Sequence, residues 1–144
     1  MPPWPAPQSS GIQAEVVVPG SKSLTNRELL LSALATGSSK LVDPLVSRDS
    51  QLMIDALETL GVKFENSAEA LVVTPGVLRG DAVIDCGLAG TVMRFVPPMA
   101  ALASGGVRFD GDASARRRPM KTTIDSLRAL GVVVESEAGT LPFS

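Results

Sequence analysis

Apolar and polar residues alternate along this chain with two periods, one typical of helices and one typical of strands. Apolar positions predict helices at 23–35, 49–60, 90–103 and 119–130, of which the first is expected to be mostly buried and the second amphipathic. Short runs rich in β-branched residues predict strands at 13–18, 40–42, 62–65, 70–74, 82–85, 107–110 and 132–136, with a last strand from 140. Pro97 and Pro98 predict a kink or a break in the third helix, because proline removes a backbone donor.

Residues that start and stop helices refine these bounds. Gly61 is expected just after the second helix, where a left-handed residue closes the last turn. Pro119 is expected at the first position of the fourth helix, and Asp49 at the N-cap or first position of the second. Asn66 and Ser67 predict the turn of a β-hairpin.

The two halves of the chain repeat one pattern. The sequence Ile-Asp-Ala-Leu-Glu-Thr-Leu-Gly-Val at 54–62 matches Ile-Asp-Ser-Leu-Arg-Ala-Leu-Gly-Val at 124–132, an offset of 70 residues. Upstream, the stretch that begins at Gly20 matches the stretch that begins at Gly87, an offset of 67 residues. Because two matches occur in the same order, the sequence predicts a structural repeat.

Each half is predicted to form one unit with the element order βαβαββ, which makes the fold class α+β. We place the first unit at 13–80 and the second at 81–144, after a loose, proline-rich lead-in at 1–12. The second unit is expected to stop within its last strand.

Positively charged residues collect where the predicted helices begin. The helix macrodipole disfavours a cation there by a few tenths to about 1 kcal/mol, whereas the free N–H groups at a helix start bind anions. The pattern predicts a shared anion-binding face, and the alternative is a set of solvated charges screened by water and by neighbours such as Asp49 and Asp112. Arg48 and Arg118 occupy equivalent places in the repeat. Seven of the thirteen Lys and Arg residues lie at helix starts: Lys22, Arg27, Arg48, Arg94, Arg116, Arg117 and Arg118.

Three other stretches of the chain bear on its chemistry. A phosphate-binding P-loop around Lys22 would need glycine where Val16 and Ser21 stand, so that motif is absent. Small residues at 87–91 would let a ligand approach backbone N–H groups, although such a stretch also fits a plain tight turn. Cys86 has no histidine partner and is predicted to be a small buried residue.

Composition narrows the function classes. A chain of 144 residues that is 44% hydrophobic can bury a core of ordinary domain size. Its net charge of −2 argues against a nucleic-acid or membrane-surface partner. One cysteine and no histidine predict no metal site, and no cofactor is expected. The proline-rich N-terminus does not resemble a signal peptide, so a reducing cytoplasm is the expected location.

Three motifs in this order resemble the N-terminal part of the 5-enolpyruvylshikimate-3-phosphate synthases. They are Pro-Gly-Ser-Lys-Ser-Leu-Thr-Asn-Arg at 19–27, Leu-Ala-Gly-Thr-Val-Met-Arg at 88–94 and Arg118-Pro119. The likeness is greatest for actinobacterial forms, in which Cys-Gly-Leu-Ala-Gly-Thr replaces Gly-Asn-Ala-Gly-Thr. The resemblance implies an inside-out α/β barrel of βαβαββ units, of which this chain would cover two of six.

The resemblance also implies an activity and roles for named residues. The family transfers the enolpyruvyl group of phosphoenolpyruvate to the 5-hydroxyl of shikimate 3-phosphate, in aromatic amino acid biosynthesis. By this likeness Lys22 contacts both substrates and is the candidate acid–base group. Ser23 and Arg27 hold shikimate 3-phosphate. Gly90 offers its backbone beside phosphoenolpyruvate, in the place contested by glyphosate, and Arg118 pairs with phosphoenolpyruvate.

Further positions match the family near its site, namely Asp49, Thr91 and Arg94, whereas Leu88 stands where many members have asparagine. The resemblance implies that the main acid–base residues and a third unit belong to a C-terminal part of the same enzyme. The isolated chain is therefore expected to bind substrate without turnover, and to self-associate through an exposed apolar barrel edge.

Two alternatives stay open. One is a non-catalytic module that binds anions or a partner. The other is a fragment of the sister enzymes that transfer enolpyruvyl to UDP-N-acetylglucosamine. Those enzymes usually read Ser-Gly-Ala-Lys-Asn at the first motif and carry a cysteine in the loop before the counterpart of Arg118, whereas residues 111–117 contain none.

Overall fold

A computed structural model describes residues 3–67 and 70–144, so that residues 68–69 beside the predicted hairpin turn lie outside the description. Helices and strands alternate along these residues in most of the predicted places. In chain order they are α1 (Lys22–Ala33), β1 (Ser39–Leu41), α2 (Arg48–Thr59), β2 (Lys63–Asn66), β3 (Leu71–Thr74), β4 (Ala82–Asp85), α3 (Gly90–Ala100), β5 (Val107–Asp110), a 3-10 turn (Ala115–Arg117) and α4 (Lys121–Ala129).

The strands form two small sheets, one in each half of the chain. In the first half β1, β3 and β2 lie in that order and are antiparallel, which confirms the predicted hairpin. In the second half β4 and β5 are parallel, with Ile84 opposite Phe109. Because the carboxyl ends of parallel strands meet at one edge, the loops that follow β4 and β5 lie side by side.

Three helices pack their apolar faces together and join the two halves. The helix α1 contributes Leu29, α2 contributes Met53 and Leu57, and α3 contributes Met93 and Val96, all of which are fully buried. Burying a side chain of this size stabilises the fold by about 1.5–3 kcal/mol. The predicted units therefore share one core, and their predicted bounds at 13–80 and 81–144 stay predictions.

The helix starts are held by side chains as well as by packing. Ser21 caps α1 by accepting a hydrogen bond from the N–H of Leu24 at 3.4 Å. Ser47 and Ser50 form a reciprocal capping box at the start of α2. Asp49 is therefore the second residue of α2, and the prediction that it is the N-cap or first residue is wrong.

The predicted strand at 13–18 does not form. Residues 11–20 are exposed and belong to no strand, and Val16, Val17 and Val18 are 74%, 93% and 73% exposed. A strand needs a neighbour for its backbone N–H and C=O groups. The described residues provide no neighbouring strand for this segment, so its β-branched residues do not form a strand.

Two predictions about proline are also wrong, namely the break in the third helix and the place of Pro119. The helix α3 runs unbroken through Pro97 and Pro98, and the N–H of Ala101 still donates to the carbonyl of Pro97 at 3.0 Å. Each of the two prolines lacks the N–H that would donate to the carbonyl four residues before it, so α3 continues with two backbone hydrogen bonds fewer, and the alternative of a kink stays a prediction. Pro119 precedes α4, which begins at Lys121 after Met120 as N-cap.

The predicted strands at 132–136 and from 140 reduce to isolated backbone pairs. Glu135 and Ser144 exchange two hydrogen bonds at 2.8 and 2.9 Å, and Phe109 and Phe143 exchange two at 2.8 and 3.1 Å. Pro142 lacks the N–H that a continuous ladder would need at that point. No helix in the described ranges is long and apolar enough to cross a membrane.

Gly61 and Gly131 close α2 and α4 at equivalent places of the repeat, as predicted for Gly61. Both have positive φ, at +105° and +89°. In each case the next residue donates its N–H to the carbonyl five positions back, to Leu57 and Leu127. Their surroundings differ, because a Cβ on Gly61 would lie 2.7 Å from the carbonyl oxygen of Val77, whereas a Cβ on Gly131 would meet nothing within 4 Å.

This pair gives an internally controlled stability test. Gly131→Ala is expected to lower the free energy of unfolding by about 1–2 kcal/mol, the cost of a left-handed alanine. Gly61→Ala is expected to cost clearly more, because the backbone must also move away from the new methyl group. Urea unfolding followed by circular dichroism measures both changes, and equal losses would contradict the structure.

Candidate functional site

The starts of α1, α2 and α3 meet around one buried side chain, that of Asn26. Its Nδ2 donates to Thr91 Oγ1 at 2.6 Å and to the carbonyl oxygen of Asp49 at 3.3 Å. Asp49 is in the first turn of α2 and Thr91 in the first turn of α3. Three helix N-termini, each with a partial positive charge, are therefore held close together.

Lys22, the first residue of α1, faces Asp49 across this junction. The Nζ of Lys22 lies 3.0 Å from Asp49 Oδ2, and the two side chains are 52% and 24% exposed. A carboxylate in the first turn of a helix is stabilised by the dipole, whereas a lysine at a helix start is not. The ion pair therefore offsets an unfavourable position of Lys22, and an anionic ligand would compete with Asp49 for it.

Two arginines flank Gly90 at the start of α3. Arg94 Nη1 donates to the Gly90 carbonyl at 3.3 Å, and Arg118 Nη1 donates to the Leu88 carbonyl at 3.1 Å. A Cβ on Gly90 would lie 3.3 Å from Arg94 Nη1 and 3.6 Å from Arg118 Nη1. Ala89, the N-cap, offers no side-chain hydrogen bond, so first-turn N–H groups are left without a side-chain cap beside two guanidinium groups.

The 3-10 turn that carries Arg118 is held against the loop before α3. The N–H of Asp112 donates to the Gly87 carbonyl at 2.9 Å, and a Cβ on Gly111 would lie 2.6 Å from that carbonyl oxygen. Only glycine permits so close an approach at 111. Ala115, the first residue of the turn, is fully buried. The turn is therefore anchored in the core, and this holds Arg118 in place to donate to the Leu88 carbonyl.

The remaining arginines at helix starts are engaged by carboxylates or exposed. Arg48 holds Asp112 with two hydrogen bonds at 2.8 and 2.9 Å, and Arg116 holds Asp110 with two at 2.8 Å. The hydrogen bond from each arginine lowers the pKa of its aspartate below the ordinary value. The expectation of screening by neighbouring carboxylates is therefore confirmed for Arg48, as it is for Lys22 with Asp49.

The structure brings together only part of the residue set implied by the resemblance. Lys22, Asp49 and Thr91 meet through Asn26, and Arg94 and Arg118 surround Gly90. Ser23 and Arg27 are exposed on α1, and neither makes a side-chain hydrogen bond or ion pair within the described part of the chain.

Asn26 was missed by sequence reasoning, although a signal existed. It lies between buried Thr25 and Leu29 on the inner face of α1, four residues after Lys22. A polar residue at a buried helical position needs hydrogen-bond partners. Its partners come from α2 and α3, whose packing against α1 cannot be derived from the sequence of α1 itself.

Cys86 is fully buried in the loop between β4 and α3, as predicted. Burial raises the pKa of its thiol to about 12, with smaller contributions from the charges of Asp85 and Asp110. Cys86 is therefore not a nucleophile at neutral pH. Within the described residues, no cluster of three or more histidine, cysteine or acidic side chains could hold a metal ion.

Thiol labelling tests this environment. The raised pKa lowers the thiolate fraction of Cys86 at pH 8 by about three powers of ten relative to an unfolded cysteine. Iodoacetamide is therefore expected to label the native chain far more slowly than the urea-unfolded chain. The native rate should still be rising at pH 10, where the unfolded rate has levelled off. Native labelling at the unfolded rate at pH 8 would contradict the buried thiol.

Comparisons with known proteins identify the family of this chain. The family model of EPSP synthase (3-phosphoshikimate 1-carboxyvinyltransferase) matches residues 7–144. A 3-phosphoshikimate 1-carboxyvinyltransferase of Mycobacterium ulcerans (strain Agy99) is 51% identical over an alignment 148 residues long, gaps included. The alignment covers 98% of this chain and 34% of that protein. The chain therefore spans about a third of the length of this relative.

The fold is also that of solved EPSP synthases. Two structures of the enzyme from Acinetobacter baumannii each match with a TM-score of 0.78 and 29% identity, covering 89% of this chain and 31% or 30% of theirs. The predicted α+β fold class and the resemblance are thereby confirmed. On both sequence and structure, the chain belongs to the EPSP synthase family.

Proposed function

We propose that this chain supplies part of the substrate site of a 3-phosphoshikimate 1-carboxyvinyltransferase, working with the remainder of the same enzyme. That enzyme would transfer the enolpyruvyl group of phosphoenolpyruvate to the 5-hydroxyl of shikimate 3-phosphate. Membership of the EPSP synthase family supports the reaction. The share of the relative's length that is covered, 34%, supports the division of the site between this chain and further residues.

The observation that carries the proposal is the start of α3. Arg94 and Arg118 flank the backbone of Gly90, next to first-turn N–H groups. Phosphoenolpyruvate carries a phosphate and a carboxylate, the two groups for which guanidinium forks and helix N-termini are suited. In the proposal it lies against Gly90 and Arg118, with Arg94 and Thr91 beside it.

Shikimate 3-phosphate is proposed to bind along the start of α1. Ser23 and Arg27 are exposed there, and Lys22 lies between them and the start of α2. Lys22 would then contact both substrates. Asp49, which holds Lys22 at 3.0 Å, would keep the ammonium group in place until an anion competes for it.

In the proposed reaction the 5-hydroxyl gives its proton to a base as its oxygen bonds to C2 of phosphoenolpyruvate, while an acid protonates C3. The bond from C2 to the phosphate oxygen then breaks, phosphate leaves, and C3 returns a proton to restore the double bond. Both steps need groups that give and take protons at the reacting atoms. Lys22 is our candidate among the described residues, and the main acid–base groups are proposed to come from the remainder of the enzyme.

No cofactor takes part in this proposal. A cytoplasmic location is proposed with it, since a single cysteine gives this chain no disulfide framework. For this chain alone we propose binding without measurable turnover, because the enzyme's other acid–base groups would be missing.

Calorimetric titration of the chain with shikimate 3-phosphate, and with inorganic phosphate in comparison, tests the proposal. Shikimate 3-phosphate is expected to bind more tightly than phosphate. Lys22→Ala is expected to weaken its binding about tenfold or more, since a hydrogen bond to a charged group contributes about 1.5–3 kcal/mol. Lys63→Ala, which changes an exposed lysine of β2, is the matched control and should leave the affinity unchanged.

Equal affinity for the two anions would instead support a general anion-binding module. Normal turnover by the 144 residues alone would overturn the division of the site.

Self-association of the chain is a further proposal. A groove of about 430 Å³ opens between the end of α3, β5 and residues 132–134. Near it Leu102, Leu130 and Val133 are 69%, 81% and 86% exposed. Apolar surface of this kind is costly in water and is covered when a partner is present. In the intact enzyme we propose that further residues of the same protein cover it, and in the isolated chain a second copy does.

Sedimentation velocity over a range of concentrations tests this proposal. The chain is expected to sediment as a concentration-dependent oligomer, and Val133→Glu is expected to shift it toward monomer. Val46→Glu is the control, because Val46 is equally exposed, at 87%, but lies in the loop before α2. A clean monomer at all concentrations, or equal effects of the two variants, would exclude this interface.

A further inference from the structure

We propose that Asn26 is a positioning residue that turns the hydroxyl of Thr91 into a hydrogen-bond donor for the anion bound at the start of α3. Asn26 itself touches no ligand in this proposal. The inference rests on the proposed function for the identity of the anion, and on the geometry of the described residues for the role of Asn26.

The orientation of the Asn26 amide follows from its partners. The Asp49 backbone carbonyl can only accept a hydrogen bond, so the group that faces it at 3.3 Å is the NH₂ group. The same Nδ2 lies 2.6 Å from Thr91 Oγ1. One NH₂ group therefore donates to both α2 and α3.

The hydrogen bond from Asn26 decides what the Thr91 hydroxyl can do. A threonine hydroxyl has one proton and two lone pairs. Because a lone pair of Thr91 accepts from Asn26, its own proton points elsewhere. Within the described part of the chain no protein acceptor takes that proton. Thr91 is half-buried and adjacent to Gly90, so an anion lying between Arg94 and Arg118 would be an acceptor within the same site.

A second observation concerns the other half of the Asn26 amide, its oxygen. Its side chain is fully buried, and its Oδ1 has no hydrogen-bond partner among the described residues. An unpaired buried oxygen has given up its hydrogen bonds to water without replacement, which offsets much of what the two hydrogen bonds of the NH₂ group contribute to stability. The net effect of Asn26 on stability is therefore expected to be small, and its effect on the Thr91 hydroxyl is the one proposed here.

Asn26 also connects the two parts of the site. It lies four residues after Lys22 on α1, and residues at this spacing share one helix face. Its hydrogen bond to the Asp49 carbonyl holds the turn of α2 whose carboxylate pairs with Lys22. Loss of the amide would therefore loosen both the Lys22–Asp49 pair and the Thr91 hydroxyl.

A double-mutant cycle measured by nitrogen-15 NMR titration with inorganic phosphate tests this role. Phosphate is expected to shift the amide signals of Gly90 and Thr91 in the unmodified chain. Thr91→Val is expected to weaken phosphate binding about fivefold because it removes the donor, and Asn26→Ala by a similar factor because it removes the hydrogen bond that orients that donor. In the Thr91→Val background, Asn26→Ala should change the affinity less than twofold.

Two further variants complete the cycle. Thr91→Ser keeps a hydroxyl at position 91. In that background Asn26→Ala should again weaken phosphate binding. Asn66→Ala, which changes an exposed asparagine of β2, should leave phosphate binding unchanged. Urea unfolding of each variant separates lost affinity from lost stability.

Several results would overturn the inference. The first is that Asn26→Ala weakens phosphate binding equally with threonine and with valine at position 91. The second is that the loss of affinity in each variant only follows its loss of stability. The third is that Thr91→Val binds phosphate as tightly as the unmodified chain, and this result is decisive even if Asn26→Ala does not fold. Phosphate binding without a preference for shikimate 3-phosphate would contradict the proposed enzyme function. The double-mutant cycle with phosphate would still test the role of Asn26. Absence of any anion binding would overturn both.

Discussion

Packing of three helices against one another is the constraint on which the site depends. The apolar faces of α1, α2 and α3 form one core across the two halves of the chain, and their starts meet at Asn26. Rigid packing sets the distances between groups that belong to different helices. Lys22, Asp49 and Thr91 can therefore act together, although they lie far apart along the chain.

The second constraint is electrostatic. Cations at helix starts are unfavourable on their own, and this fold offsets them in two ways. Bidentate pairs such as Arg48 with Asp112 satisfy the charge within the protein. Arg94 and Arg118 instead donate to backbone carbonyls around Gly90 and keep most of their charge uncompensated. The second arrangement is the one suited to an anionic ligand, and it occurs where two loops are drawn together at the ends of parallel strands.

Local patterns predicted much of this fold. The period of α2, the stop at Gly61 and the burial of Cys86 follow from neighbouring residues. The prediction that the first helix is mostly buried is wrong, since Leu31 and Leu34 are 60% and 47% exposed. The strand expected at 13–18 fails because its partner would have to come from elsewhere. The same limit applies to the site: the charges of Lys22 and Arg118 are visible in the sequence, whereas the pairing of Arg48 with a residue 64 positions away and the role of Asn26 depend on packing.

Arg48 and Arg118 stand at equivalent positions of the internal repeat, and the structure gives them different partners. Arg48 forms an ion pair with Asp112 in the other half of the chain, and Arg118 donates a hydrogen bond to the Leu88 carbonyl beside Gly90. Of two residues at matching positions of the repeat, Arg48 therefore links the two halves of the chain through an ion pair, whereas the proposed function gives Arg118 the task of binding phosphoenolpyruvate. Any other contact between the halves could replace the link made by Arg48, but in that proposal only a group that binds the ligand's charges could replace Arg118.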